Sequence, residues 1–188
     1  IGEFSRRLEA VGGEVHTCDS GELIPLVERI LEQLGARSVL LAQGSPPLDA
    51  SLAAGLEGRG MTCLPASLPI EAARRAECLP KLDAADAGVC AALAGLADTG
   101  TVVVGSGPEG ALLTSLLPPA AIVILPAGDL HTGLSAWLQN SGSSHLQSHS
   151  SLSLVTGPSR TADIEMTLTM GVHGPGRWIV VIVRPAPD

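Results

Sequence analysis

Apolar positions along the chain switch repeatedly between two periods. Glu14 to Cys18 reads as a short strand. From Ser20, Leu23, Leu26, Val27, Ile30, Leu31 and Leu34 recur at helical spacing, and Gly35 stands where a C-cap glycine ends a helix. Ser38 to Ala42 is a strand, Leu48 to Leu56 a small helix, Met61 to Leu64 a strand and Ile70 to Leu79 a helix. Two apolar runs, Ala87 to Leu93 and Thr101 to Gly105, bracket Ala97-Asp-Thr-Gly-Thr101. Glu109 to Leu116 is a short helix stopped by Pro118-Pro119. Ala121 to Leu125 is a strand and Leu130 to Leu138 a helix. Asn140 to Ser151 is Ser-rich with Gly and two His, and is expected to be a mobile surface loop. Leu152 to Val155 and Trp178 to Val183 are the last two strands.

Strands alternating with helices, and apolar throughout rather than on one side, imply a mostly parallel sheet covered on both faces: a three-layer α/β/α domain. Residues 164–170 are ambiguous. Ile164, Met166, Leu168 and Met170 alternate with Glu165, Thr167 and Thr169 at strand period, yet Ala162–Met166, Ile164–Leu168 and Met166–Met170 also fit a helix. A helix is favoured, because a crossover from Val155 to Trp178 needs one if those two strands are parallel.

The length of 188 residues suits one domain, and 45% apolar residues suffice for a core without disulfides. Aromatics are few, with no Tyr and one Phe. A net charge of −8 argues against a nucleic-acid partner, which needs clustered Lys and Arg. Lys81 is the one lysine, so a Schiff-base or phosphate-clamp lysine has a single candidate. No apolar run reaches the roughly 18–20 residues of a membrane span. Charges throughout Ile1 to Val11 speak against a signal peptide, and the missing initial Met suggests a native N-terminus further upstream. Cys18, Cys63, Cys78 and Cys90 match neither a zinc nor an iron–sulfur spacing. Cys18, Cys63 and Cys90 sit in strand-like runs and read as buried free thiols, which fits a reducing cytoplasm. No metal and no cofactor is expected.

Candidate chemistry concentrates in two places. Gly157-Pro-Ser-Arg-Thr-Ala-Asp-Ile-Glu165 follows the strand Leu152 to Val155, and Gly171-Val-His-Gly-Pro175 comes soon after. Such a turn aims N–H groups above a sheet edge, where open α/β folds bind ligands. Ser159 is placed to cap a following helix, whose dipole favours an anion, and Arg160 to clamp a carboxylate or phosphate. The plainer reading pairs Arg160 with Asp163 on the surface. Asp163 and Glu165 would repel an anion, but could accept hydrogen bonds from a polyol. Asp98-Thr-Gly-Thr101 is either a hairpin turn or a pair of hydroxyls and amides at the mouth of the sheet. His173 is a general base or a loop-bonding histidine; His131 has the same two readings, and His145 and His149 are expected to be solvated. Gly105-Ser-Gly-Pro-Glu-Gly110 looks superficially like a nucleotide loop, but lacks the Lys-Ser/Thr of a P-loop.

The two motifs together, Ala97-Asp-Thr-Gly-Thr101 and Gly157 to Glu165 with Gly171 to Pro175, resemble the signature of the lactate utilisation protein C family. The resemblance covers roughly Asp86 to Val183. It implies a fold similar to ribose-5-phosphate isomerase, glucosamine-6-phosphate deaminase and the CoA transferases. It also implies a part in oxidising L-lactate to pyruvate, in a system where two partner proteins hold the iron–sulfur centres. The resemblance carries over no catalytic residues. The ligand-binding candidates are Asp98, Thr99, Gly100, Thr101, Gly157, Ser159, Arg160, Thr161, Asp163, Glu165 and His173, for a small anion or nucleotide-like molecule. Two alternatives stand beside this. One is an independent isomerase or transferase acting on a sugar phosphate or acyl-CoA, with Asp98, Asp163 or Glu165 as base. The other is a non-catalytic regulatory protein that docks through Trp137 or Trp178. The first reading requires Thr99 and Arg160 to lie near one another.

Overall fold

A computed structural model describes residues 1–42, 44, 50–107, 110–162, 168–171 and 173–186. The chain opens with α1 (Gly2–Ala10), then β1 (Glu14–Asp19), α2 (Leu23–Leu34), β2 (Ser38–Leu41), α3 (Ala50–Glu57), β3 (Thr62–Pro65), α4 (Ala72–Asp83) and β4 (Ala87–Ala91). Next come β5 (Ala94–Leu96), β6 (Thr101–Gly105), α5 (Ala111–Leu116), β7 (Ala120–Pro126) and the two-residue β8 (Leu130–His131). It closes with α6 (Leu134–Trp137), α7 (Ser143–Ser148), β9 (Leu152–Val155), β10 (Arg160–Ala162), β11 (Leu168–Met170) and β12 (Arg177–Arg184).

Six strands form the main sheet in the order β1-β12-β7-β4-β2-β3, and every pairing is parallel. Ile122, Val123, Ile124, Ile179, Val180 and Val181 are fully buried, which is why β7 and β12 read as unbroken apolar runs. Along β2 the side chains alternate. Val39 and Leu41 join the cluster that contains Leu31, Leu52 and Leu56 of α2 and α3. Leu40 points the other way, into a smaller cluster with Leu82, Leu113 and Leu117. Helices therefore cover both faces, as expected for three layers. Gly35 ends α2 in the left-handed conformation at φ 68°.

Three expectations need correction. First, Leu152–Val155 and Trp178–Val183 belong to different sheets. β9 pairs antiparallel with β6 in a four-stranded sheet ordered β8-β5-β6-β9, so no parallel crossover joins β9 to β12. The helix favoured for 164–170 loses its reason: Leu168–Met170 is strand β11, paired antiparallel with β10 so that Arg160 lies opposite Met170, and the rest of that segment lies outside the described residues. Second, Asn140 to Ser151 is not a loop. A π-turn over Leu138–Gly142 runs into α7, and the serine hydroxyls bond back to carbonyls, as Ser144 does to Ser141 at 2.7 Å. Leu130–Leu138 is correspondingly split between β8 and α6. Third, α1 precedes the first expected element; its Phe4 and Leu8, one turn apart, are completely buried.

Candidate functional site

The Asp98–Thr101 motif is the turn of the β5–β6 hairpin, in which Leu96 faces Thr101. Gly100 takes φ 68° and its N–H donates to the Leu96 carbonyl at 2.9 Å. It also lies so close to α1 that a Cβ there would overlap the amide nitrogen of Leu8. The hydroxyls form a chain. Thr101 Oγ1 donates to Thr99 Oγ1 at 2.7 Å, and Thr99 Oγ1 donates to Asp98 Oδ1 at 3.3 Å. Thr101 Oγ1 also lies 2.6 Å from Thr156 Oγ1, just beyond β9. Each hydroxyl has one proton, so with Thr101 donating to Thr99 the proton of this last bond comes from Thr156. The chain thus runs from Thr156 through buried Thr101 to the carboxylate of Asp98, and only its middle is out of water.

Thr156 leads directly into the second motif. Gly157 (φ 86°) rests against Val11, and Pro158 is buried. No helix follows Ser159: Arg160 opens the strand β10, so neither the cap nor the helix dipole is available at this turn. The Ser159 N–H donates instead to the Pro175 carbonyl at 2.8 Å, and the Ser159 carbonyl accepts from Gly171 at 3.0 Å. These bonds tie the Gly157 turn to the Gly171–Pro175 loop. Arg160 is exposed and its Nη2 donates to the carbonyl of Val11, just past the end of α1. Gly12 at φ 88° makes room, since a Cβ there would strike the guanidinium. Thr161 lies in β10 opposite Thr169, His173 is exposed, and Asp163 and Glu165 lie outside the described residues.

The two motifs therefore meet along α1. Gly100 abuts Arg7 and Leu8 of α1, and Arg160 abuts Val11 and Gly12, just past its end. Asp98, Thr99, Thr156 and Arg160 are all exposed there. The second motif lies at the amino ends of the parallel strands, not at the carboxyl ends: the N–H of Gly176, just before β12, donates to Pro119, just before β7, at 2.9 Å. Other polar ties share this edge. Arg177 binds Glu14 through two bonds of 2.8 Å. The Asp86 carboxylate accepts from the amides of Arg37 and Ser38 and from the Ser38 hydroxyl, each at 2.8 Å. Those bonds, led by the Arg37 amide, hold its carboxyl below the usual range.

At the carboxyl edge lies a different feature, which the sequence reading did not find. A cavity of about 610 Å³ opens where Ala66, Ser67 and Leu68 follow β3 and where Ser106 and Gly107 follow β6. Leucines of α5 and Leu117 form its apolar side. Gly110, at φ 75°, sits against the Ala66 carbonyl. The glycines of Gly105-Ser-Gly-Pro-Glu-Gly110 were the signal that could have pointed here. Nearby, the Ser106 hydroxyl accepts from the Ser151 amide at 2.9 Å and from its hydroxyl at 3.0 Å, and lies 2.7 Å from that of Ser150.

The remaining candidates are structural in setting. His131 lends its carbonyl to Ala97 at 2.9 Å. His145 stacks on Trp137 with ring centroids 6.1 Å apart, and His149 lies against Gly105; neither is the solvated side chain expected. Trp137 and Trp178 are each 1% exposed, so no docking face is built on them. The four cysteines are free, and burial pushes the Cys90 thiol up to about 12. Among the described residues no three His, Cys, Asp or Glu are grouped to hold a metal ion, and no helix is long and apolar enough to cross a membrane.

Comparison with known proteins agrees with the motifs. A lactate utilization protein C of Halalkalibacterium halodurans is 38% identical over 110 residues, covering 55% of this chain and 46% of that protein. The Bacillus subtilis protein of the same name is 34% identical over 110 residues, covering 57% and 46%. Each match thus spans less than half the relative's length. The crystal structure of a DUF162 family protein from Deinococcus radiodurans superposes with a TM-score of 0.65 at 22% identity, over 97% of this chain and 94% of that one, and so shares the fold. Residues 1–183 match the LUD domain model, and the chain belongs to the LUD-domain family.

Proposed function

We propose that this chain is a component of a lactate-utilising system, working beside iron–sulfur proteins that accept the two electrons released when L-lactate becomes pyruvate. The observation that carries this reading is the family match over residues 1–183, together with relatives named for lactate utilisation. The small anion, lactate or pyruvate, is held on the surface where the two motifs meet. Arg160 supplies a guanidinium for the carboxylate, and the exposed Thr99 and Thr156 hydroxyls turn from Asp98 and Thr101 to donate to it. Asp98 accepts a hydrogen bond from the 2-hydroxyl of lactate, which pyruvate lacks. Gly100, Thr101, Gly157 and Ser159 shape the turns, and Thr161, Asp163, Glu165 and His173 complete the candidate set.

Two experiments test this. Deleting the gene should abolish growth on L-lactate as sole carbon source; unimpaired growth rejects the role. Calorimetry with pyruvate should then show at least about tenfold weaker binding to Arg160→Ala than to the parent chain. A second reading is favoured by one observation, the bond from Arg160 to Val11. On that reading the motifs clasp α1 to the sheets and hold no ligand. It is the better account if Arg160→Ala binds pyruvate like the parent and loses only stability.

A further inference from the structure

We infer that the carboxyl-edge cavity is a second binding site, for a neutral, largely apolar small molecule bearing one hydroxyl or carbonyl. Four observations lead there. Its volume of about 610 Å³ lies within the 300–1,000 Å³ typical of ligand sites. It sits beyond the carboxyl ends of β2 and β3, since the Ala66 N–H donates to Leu41 at 2.9 Å, and this is the side on which parallel sheets take ligands. One wall is apolar, made of Leu68, Leu112, Leu113, Leu116 and Leu117. Leu68 and Leu116 keep 37% and 45% of their surface exposed, so the chain leaves this wall unfilled. The rim is uncharged among the described residues and offers the Ser67 hydroxyl.

The chemistry of the ligand follows from that lining. A carboxylate or phosphate entering the cavity would exchange water for leucine, with no cation among the described lining residues to compensate. A neutral ring or chain loses nothing by the same transfer and covers the exposed leucines. A single polar group on it meets Ser67 at the rim, while the Ser106 hydroxyl, which accepts two hydrogen bonds and donates a third, is saturated and holds the rim in shape. Sites built this way are mostly apolar with a few fixed polar groups. This cavity is separate from the surface proposed for the anion, which lies along α1 and the amino ends of the strands.

The test uses two probes of one shape, 2-naphthol and 2-naphthoate, the second carrying a negative charge. Fluorescence titration of the whole chain should give a dissociation constant on the order of 0.1 mM for 2-naphthol, and at least about tenfold weaker binding for 2-naphthoate. Leu116→Glu should weaken 2-naphthol by at least about tenfold, and Ser67→Ala by about fivefold. Far-UV circular dichroism and light scattering on both variants verify fold and mass. The proposal is overturned if 2-naphthoate binds as well as 2-naphthol, or if folded Leu116→Glu binds 2-naphthol unchanged. It is equally overturned if Leu116→Glu turns a dimer into a monomer, because a second copy of the chain then covers the leucines.

Discussion

The amino and carboxyl edges of the main sheet are built on opposite plans. At the amino edge, polar groups find partners within the chain: Asp86 on Arg37 and Ser38, Arg177 on Glu14, Arg160 on Val11. Beside it, glycines in left-handed conformations let backbones approach α1, as at Gly100 and Gly12. At the carboxyl edge, between β3 and α5, leucines stand half exposed around an open cavity. The residues that catch the eye in a sequence are those under backbone constraint, because only a few residue types can meet it. Leucines around a cavity look like leucines anywhere.

This contrast can be broken by substitution, and the sharpest case is Gly100→Val. It forces a β-branched residue into φ 68° and drives its Cβ into the Leu8 backbone. A loss of about 3 kcal/mol or more in urea unfolding is expected. A neutral result would mean that the hairpin does not lie against α1. Arg160→Ala removes a charge-assisted but exposed bond and should cost about 1 kcal/mol, read as a lower denaturant midpoint at unchanged slope.

Asp86 adds a pH dependence with a definite sign. Its carboxyl is depressed in the folded chain and ordinary, about 3.9, in the unfolded one. Its contribution is therefore complete above the unfolded value and disappears as pH falls through the folded value. Asp86→Asn should cost about 1 kcal/mol at neutral pH, after allowing for solvent screening, and should flatten the acid limb of the stability curve below about pH 4. An acid limb identical to the parent's would assign the dependence to other carboxylates. The smallest effect belongs to the other edge. Leu116→Glu, at a position 45% exposed, should change stability by no more than about 0.5 kcal/mol while acting on the cavity.

The same contrast explains what the sequence disclosed. The parallel sheet was legible because β7 and β12 are apolar throughout, and α2 because six apolar positions fall on one face and Gly35 ends it. The Asp98–Thr101 hairpin was one of two readings that the residues left open, and the pairing of Leu96 with Thr101 shows it. α1 was hidden because only Phe4 and Leu8 mark its buried face amid charges. The helix expected near Arg160 rested on Val155 and Trp178 sharing a sheet, a long-range fact that no local pattern carries. Strand period in Leu168–Met170 was the better guide. The cavity was illegible because it forms only where Ala66, Ser106 and α5 converge from three separate stretches of chain.

Amide chemical-shift mapping with pyruvate and then 2-naphthol on one sample tests the separation of the two edges most directly. Pyruvate should move the amides of Thr99, Gly100, Thr156 and Arg160, and 2-naphthol those of Ser67, Leu68, Ser106 and Leu113, with no overlap between the sets. Both ligands moving one shared set, or pyruvate moving only the residues around the cavity, would contradict it.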